Sequence, residues 1–142
     1  MGYTHYWRLY KIATPDQALE IVTATKKVFS MCEDEGIVLV SDDFGGPPKA
    51  ELDIIRFNGV GKNEHETFLV NLIKETDFDF CKTACKPYDV AVTAVLAIAK
   101  AVLGDAINVS SDGDASDWQN GIAMACVALG KVVELPLERE EQ

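Results

Sequence analysis

The sequence of 142 residues lacks several features that would assign it to a particular class of protein. Its longest nearly apolar run, Val90 to Val102, contains a threonine and a lysine and is too short to span a bilayer as a helix. It has no Cys-x-x-Cys pair, and its first residues lack the basic region and apolar stretch of a secretory signal. We therefore expect a cytoplasmic protein whose four cysteines are reduced.

Histidine and basic residues are also scarce. With only two histidines, His5 and His65, a zinc site built from three histidines is impossible, and we predict neither a metal site nor a cofactor. The net charge of −10 disfavours nucleic-acid polymers and anionic membranes as partners. A small anionic molecule held in one local basic pocket is compatible with this charge.

The composition that is present, 48% hydrophobic and 25% charged, is that of an ordinary globular domain. We predict a single α+β domain over residues 1–133 and an acidic, flexible tail over residues 134–142. Because runs of strands are not interleaved with helices, we expect a mostly antiparallel sheet with two to three helices packed on it, forming a single-domain sandwich. The predicted strands are 3–12, 37–40, 51–57, 67–73, 78–82 and 107–109.

Local sequence signals define three helices. Thr14, followed by Pro15 and by Gln17, predicts a capped helix start, and Gly36 predicts its end. A second helix, apolar nearly all round, follows Asp89 and runs to 102, and a third occupies 114–129. In the first strand, alternation places Tyr3, His5, Trp7 and Leu9 on one face.

The densest group of chemically capable residues lies between the fifth strand and the second helix. This junction carries two lysines, a threonine, a tyrosine and an aspartate: Lys82, Thr83, Lys86, Tyr88 and Asp89. Unpaired N–H groups and a partial positive charge make a helix N-terminus favourable for an anion, and the lysines would add full charges. Alternatively, the lysines are solvated surface residues and the aspartate only complements the helix dipole.

Ser111 and Asp112 lie at a second strand-to-helix junction, where either can bind a ligand hydroxyl or simply form a turn and helix cap. His5 is a candidate general acid/base, but packing in an aromatic strand explains it equally well. The aromatic residues can stack a base or build the core; they are Tyr3, Tyr6, Trp7, Tyr10 and Tyr88.

Several motifs together resemble a family of small uncharacterised proteins found in bacteriophages and bacterial genomes. They are Gly2-Tyr3-Thr4-His5-Tyr6-Trp7, Phe57-Asn58-Gly59, Glu66-Thr67-Phe68, the segment FCKTAxKPYD beginning at Phe80, and Val109-Ser110-Ser111-Asp112-Gly113. The resemblance covers roughly residues 2 to 121. Position 85 is Cys where such proteins are expected to have a basic residue.

The resemblance implies a ligand-binding role, because the motif residues are polar and aromatic types suited to recognition. A small protein with such residues is similar to the phage proteins that sequester host immune-signalling nucleotides. If the chain is phage-encoded, we expect it to act in the host cytoplasm. On that basis Lys82, Lys86 and the helix N-terminus near Tyr88 would hold phosphate. Tyr3, His5 or Trp7 would stack the base, and Ser111 or Asp112 would contact a ribose hydroxyl.

Two other functions remain open at this point. One is a small enzyme, of the hydrolase or phosphodiesterase type, with His5 as general acid/base and Lys82 stabilising charge on such a ligand. The other is an acidic protein-interaction module. Homo-oligomer formation is compatible with all three functions.

Overall fold

The computed structural model describes residues 3–42 and 44–137. The elements are, in chain order, β1 (Thr4–Leu9), α1 (Pro15–Asp34), β2 (Lys49–Ala50), β3 (Ile54–Phe57), β4 (Phe68–Asn71), β5 (Asp79–Lys82), α2 (Asp89–Leu103), β6 (Ile107–Ser111) and α3 (Ala115–Leu129). Short 3-10 turns occupy Gly61–Asn63 and Gly104–Ala106. The protein is thus an α+β fold with antiparallel strand pairs, as predicted.

The strands form two three-stranded sheets rather than one. β1 lies at the centre of the first sheet, in the order β5-β1-β6, and pairs antiparallel with both neighbours. The second sheet has the order β2-β3-β4. Aromatic packing joins the two sheets, because the ring of Trp7 lies 5.2 Å from that of Phe68 and Phe68 lies 5.0 Å from Phe57, measured between centroids.

One predicted strand is absent, the short strand β2 was not predicted, and the strands predicted over 3–12, 51–57 and 67–73 are shorter than predicted. Residues 37–40 contribute only an isolated bridge, between Val40 and Asn58, since Val38 is exposed and the neighbouring residues have no partner strand. The strand predicted over 51–57 begins at Ile54 because a tight turn, closed by the Glu51 N–H donating to the Ile54 carbonyl, separates β2 from β3.

The helix starts follow their sequence signals. Thr14 caps α1: its hydroxyl accepts the N–H of Gln17, and the Gln17 side chain accepts the N–H of Thr14. Asp114 and Asp117 form the same reciprocal arrangement at α3. Such caps satisfy N–H groups that the first turn of a helix leaves unpaired.

The core is centred on α2, which packs against α1, α3 and β6. Ten of its fifteen residues are buried, as its nearly continuous apolar sequence predicts. Gly121 permits the close approach of α3, since a Cβ atom at that position would lie 1.9 Å from the Thr93 hydroxyl oxygen. This packing fixes the start of α2, which carries Asp89, behind the first sheet.

The end of the chain continues past α3 to the edge of the first sheet. Leu137 forms a parallel bridge with Val109 of β6, and Pro136 is buried. Residues 138–142 of the predicted flexible tail lie outside the described residues.

Candidate functional site

The three motif-bearing segments meet around the imidazole of His5. The ring projects from β1 into the interior and has no solvent exposure. Its Nδ1 lies 2.8 Å from the Ser111 hydroxyl oxygen at the end of β6, and its Nε2 lies 2.6 Å from Oδ1 of Asp89 at the start of α2. The predicted residues on β1 and at both strand-to-helix junctions are therefore brought together.

The hydrogen bonds to Ser111 determine the tautomer of His5. The Ser111 hydroxyl oxygen accepts the Gly113 N–H at 2.9 Å and the Trp118 indole N–H at 3.1 Å. Because a hydroxyl oxygen has two lone pairs, both are then occupied, and its own proton is donated to Nδ1 of His5. The remaining ring proton is on Nε2 and is donated to Asp89. In this arrangement His5 is neutral.

Thr83 and two aromatic rings complete the enclosure of this cluster. The Thr83 hydroxyl donates to the same Asp89 oxygen that accepts from His5, at 2.6 Å, and Thr83 is fully buried. Tyr3 and Trp118 pack edge-on against the imidazole, with centroid distances of 5.0 and 5.2 Å. We call His5, Thr83, Asp89, Ser111 and Trp118 the His5 cluster.

A strained turn joins the His5 cluster to the surface. The Lys86 N–H donates to the Thr83 carbonyl at 3.0 Å, closing a turn in which Ala84 and Cys85 have φ angles of 52° and 57°. Glycine and asparagine normally occupy such left-handed positions, and other residues adopt them at a cost of about 1–3 kcal/mol each. Both residues are exposed, so burial of their side chains does not compensate for this strain.

The two lysines flank this turn. Lys82 is exposed at the end of β5, Lys86 is half-buried, and neither forms a salt bridge within the described ranges. The helix N-terminus beside them has less free donor capacity than the sequence suggests. The Asp89 N–H donates to the Lys86 carbonyl at 2.8 Å and the Ala91 N–H to the Tyr88 carbonyl at 3.0 Å. Positive charge at this surface therefore comes from the lysines.

Two predicted ligand-stacking residues lie in the core. Trp7 is 4% exposed and packs on Phe68 of the second sheet. Tyr88 has no exposure, and its hydroxyl donates to the Glu66 carbonyl at 2.6 Å. Both side chains have apolar or hydrogen-bonded surroundings within the protein, and we leave them out of the surface site.

The acidic side of the site lies around Tyr3. Burial, with the negative charges of Asp89 and Asp117, raises the pKa of the Tyr3 phenol well above its usual range. Asp112 is exposed, yet its Oδ2 accepts the Thr4 N–H at 3.0 Å, which fixes it to β1. An anion is therefore favoured on the lysine side of the junction rather than beside Tyr3.

The cysteines at the junction differ in their surroundings. Cys81 points into the core, where burial, together with the charge of Glu66, raises the pKa of its thiol to about 12. Cys85 is exposed at the tip of the strained turn, and slight burial and the charges of Asp89 and Asp117 also raise its pKa. Neither thiol has the lowered pKa of a reactive nucleophile.

Sequence reasoning did not identify Trp118 or Gly113 as parts of the site. Trp118 follows the Asp114 cap by one helical turn, a spacing that faces it toward the preceding strand. Gly113 is required because a Cβ atom there would lie 2.2 Å from the Tyr3 hydroxyl oxygen. The Gly in Ser111-Asp112-Gly113 was the available signal, but its steric role depends on a residue far away in the sequence.

The side chains of the His5 cluster pack against one another, and the clefts large enough for a ligand lie elsewhere on the described surface. A cleft of about 520 Å³ is lined by Lys100, Asn108, Lys131 and residues 132–137, on the side of β6 where Leu137 pairs with Val109. Across residues 3–42 and 44–137, no three His, Cys, Asp or Glu side chains are grouped to hold a metal ion. A ligand at the junction would bind on the surface outside the cluster.

Comparison with known proteins gave no match to a protein-family model, to a curated protein sequence or to a solved structure. The resemblance to small phage and bacterial proteins accordingly stays a prediction. In the part of the chain that the structure describes, no helix has the length and apolarity needed to cross a membrane.

Proposed function

We propose that the protein binds a small phosphate-containing ligand, of the class of signalling nucleotides, at the turn between Lys82 and Lys86. The observation that carries the proposal is the pair of exposed, strained residues, Ala84 and Cys85, between two lysines without ion-pair partners in the described ranges. Backbone strain that packing does not explain is concentrated at functional sites in proteins.

The His5 cluster supports this proposal as a rigid base for the turn. Thr83 is anchored to Asp89, and Asp89 is anchored to His5, so the backbone between the lysines is held from inside. Preorganised binding groups lose less conformational entropy when the ligand arrives. The net charge of −10 makes the protein repel anions in general, and the two lysines create a local positive potential that attracts them.

The same cluster favours binding over catalysis. A serine nucleophile needs a lone pair free to attack, and both lone pairs of the Ser111 oxygen accept N–H groups. His5 is fully buried, and both of its ring nitrogens are engaged. We therefore propose that the ligand is retained unchanged, as in a protein that sequesters a signal in the cytoplasm.

The test is calorimetric titration with cyclic dinucleotides and ADP-ribose. Lys82→Ala and Lys86→Ala should each weaken binding about tenfold or more, because a charge-assisted hydrogen bond contributes about 1.5–3 kcal/mol. Lys74→Ala is the matched control, an exposed lysine on a different loop. Thermal midpoints without ligand should be unchanged in all three variants.

Two results would contradict the proposal. Equal affinity of wild type and both junction variants would show that the lysines are solvated surface residues. Conversion of the nucleotide during incubation, detected by mass spectrometry after heat release, would replace retention with an enzymatic function.

A further inference from the structure

In the described part of the chain, the outer face of the first sheet carries an aromatic cluster that is partly exposed, whereas Thr4 on the same face is buried. Side chains on this face alternate with the buried His5, Trp7 and Leu9, and β1 pairs Tyr6 with Phe80 and with Ser110. Phe78 and Phe80 are 63% and 43% exposed. We call Tyr6, Phe78 and Phe80 the outer aromatic cluster.

The three rings form one continuous surface. The centroid of Phe78 lies 5.7 Å from that of Tyr6 and 5.7 Å from that of Phe80, with interplanar angles of 32° and 39°. Solvent-exposed aromatic rings grouped in this way are unusual, since burial of each would be favourable. Such a group indicates a surface that binds another flat or apolar group.

Charged groups of both signs and hydrogen-bonding groups surround these rings, since the Tyr6 hydroxyl donates to Oδ1 of Asp112 at 3.5 Å and Asp77 precedes Phe78. Lys82 follows Phe80 on the same face of β5, about 7 Å along the strand, and pairs with Thr4 across it. Arg8 lies 4.4 Å above the ring of Tyr10, and its contact with Asp77, at 3.6 Å, is exposed and therefore weak. Ser110, beside Tyr6, is exposed and available to bond a base edge.

We propose that the outer aromatic cluster stacks the nucleobase of a nucleotide whose phosphate is bound by Lys82. Aromatic rings beside cationic side chains are the pattern that binds unpaired bases, and such stacking tolerates any base because every base has a π face. The proposal rests on the proposed function, since it extends the phosphate site at Lys82 onto the neighbouring sheet face. It also replaces Trp7 and Tyr88, which are buried, as the stacking residues.

Charge limits the occupant to a small nucleotide. A polymer would present many phosphates to a protein of net charge −10, whereas one nucleotide presents its phosphate only to the lysine end of the face. A second copy of the chain also has a net charge of −10, so the overall electrostatic interaction between two copies is repulsive.

The experiment is NMR titration of the full chain, with labelled phenylalanine and tyrosine rings, using AMP and ribose 5-phosphate as probes. AMP at millimolar concentration should shift the ring resonances of the outer aromatic cluster and the backbone amides of residues 82–86. Ribose 5-phosphate, which lacks a base, should shift those amides and leave the rings unchanged.

Variants test the role of the ring. Phe80→Ala should weaken AMP binding about tenfold, the scale of one lost base–aromatic stack, and Phe80→Tyr should retain it. Phe44→Ala is the matched control, because Phe44 is 97% exposed and lies on a distant loop. Wild type and the three variants should bind ribose 5-phosphate equally.

Each other outcome overturns a defined part of the proposal. If AMP shifts the amides but not the rings, or if Phe80→Ala binds AMP as wild type does, the stacking site is wrong and the phosphate site stands. If neither rings nor amides shift, both proposals fail. A dimer in sedimentation equilibrium that Phe80→Ala abolishes would make this face an interface between copies instead.

Discussion

The inner face of the β5-β1-β6 sheet carries a buried histidine hydrogen-bonded to a half-buried serine, whereas its outer face exposes two phenylalanines beside a tyrosine. Inside, His5 uses both ring nitrogens, and Ser111 uses its proton and both lone pairs. Outside, Phe78 and Phe80 present much of their ring surface to water. The inner face is otherwise apolar, with Trp7, Leu9 and Val109 buried, so each face carries one group that departs from the usual distribution of polar and apolar side chains.

This difference between the faces separates two roles that the sequence motifs combine. A buried polar network with all its hydrogen bonds made contributes to a unique, rigid arrangement, and breaking one member leaves others unpaired. An exposed aromatic cluster contributes little to folding and is available for binding. We therefore assign positioning to the inner face and recognition to the outer face and the adjacent turn.

The largest expected effect on stability comes from removing the inner histidine. His5→Ala should lower the free energy of unfolding by about 3 kcal/mol, because it leaves a cavity and removes the donor to Asp89 and the acceptor of Ser111. Urea denaturation measures this loss. His65→Ala, in an exposed turn, should change stability by less than about 0.5 kcal/mol, and equal losses in the two variants would contradict the comparison.

A smaller effect is expected from alkaline pH. Burial raises the pKa of Cys81 from 9.0 to about 12, so between these values the unfolded chain loses a proton that the folded chain keeps. Stability must then fall as pH rises above 9, by about 1 kcal/mol at pH 10 from this thiol alone. Urea denaturation across this pH range should show a shallower decline for Cys81→Val, while the exposed Cys85→Ser should follow wild type.

The smallest effect is expected on the outer face. Phe80→Ser should change the free energy of unfolding by less than about 1 kcal/mol, because much of the ring is already in contact with water. Urea denaturation of this variant, compared with His5→Ala under the same conditions, measures the difference between the faces. A loss as large as that from His5→Ala would show that the outer rings belong to the core.

The sequence predicted the elements of the fold because each carries its signal locally. The Thr14–Gln17 cap, the apolar stretch of α2 and the alternation along β1 depend on residues close together in the chain. The division into two sheets was not predicted, since β1 pairs with strands far along the chain. Residues 37–40 have strand-like composition but no partner strand, which only the tertiary structure determines.

The sequence predicted which residues belong to the candidate site better than it predicted how they are arranged. The motif residues His5, Thr83, Asp89 and Ser111 are linked by successive hydrogen bonds. Which of them are exposed could not be predicted, because alternation assigns a residue to a face without identifying the buried face. Trp7, for which a stacking role was predicted, lies on the buried face, and no stacking role was predicted for Phe78 or for Phe80 of the FCKTAxKPYD motif.

At both edges of the β5-β1-β6 sheet, hydrogen-bonding groups are occupied by partners other than a further strand of the sheet. The outward N–H groups of β5, on Phe80 and Lys82, donate to carboxylates of Asp79 and Glu66, at 2.9 and 2.8 Å. Leu137 pairs with Val109 at the opposite edge. Unpaired strand edges are the template for cross-β growth, and occupied donors deny another chain its hydrogen bonds. The protein can therefore expose phenylalanines on a sheet face with little risk of aggregating strand by strand.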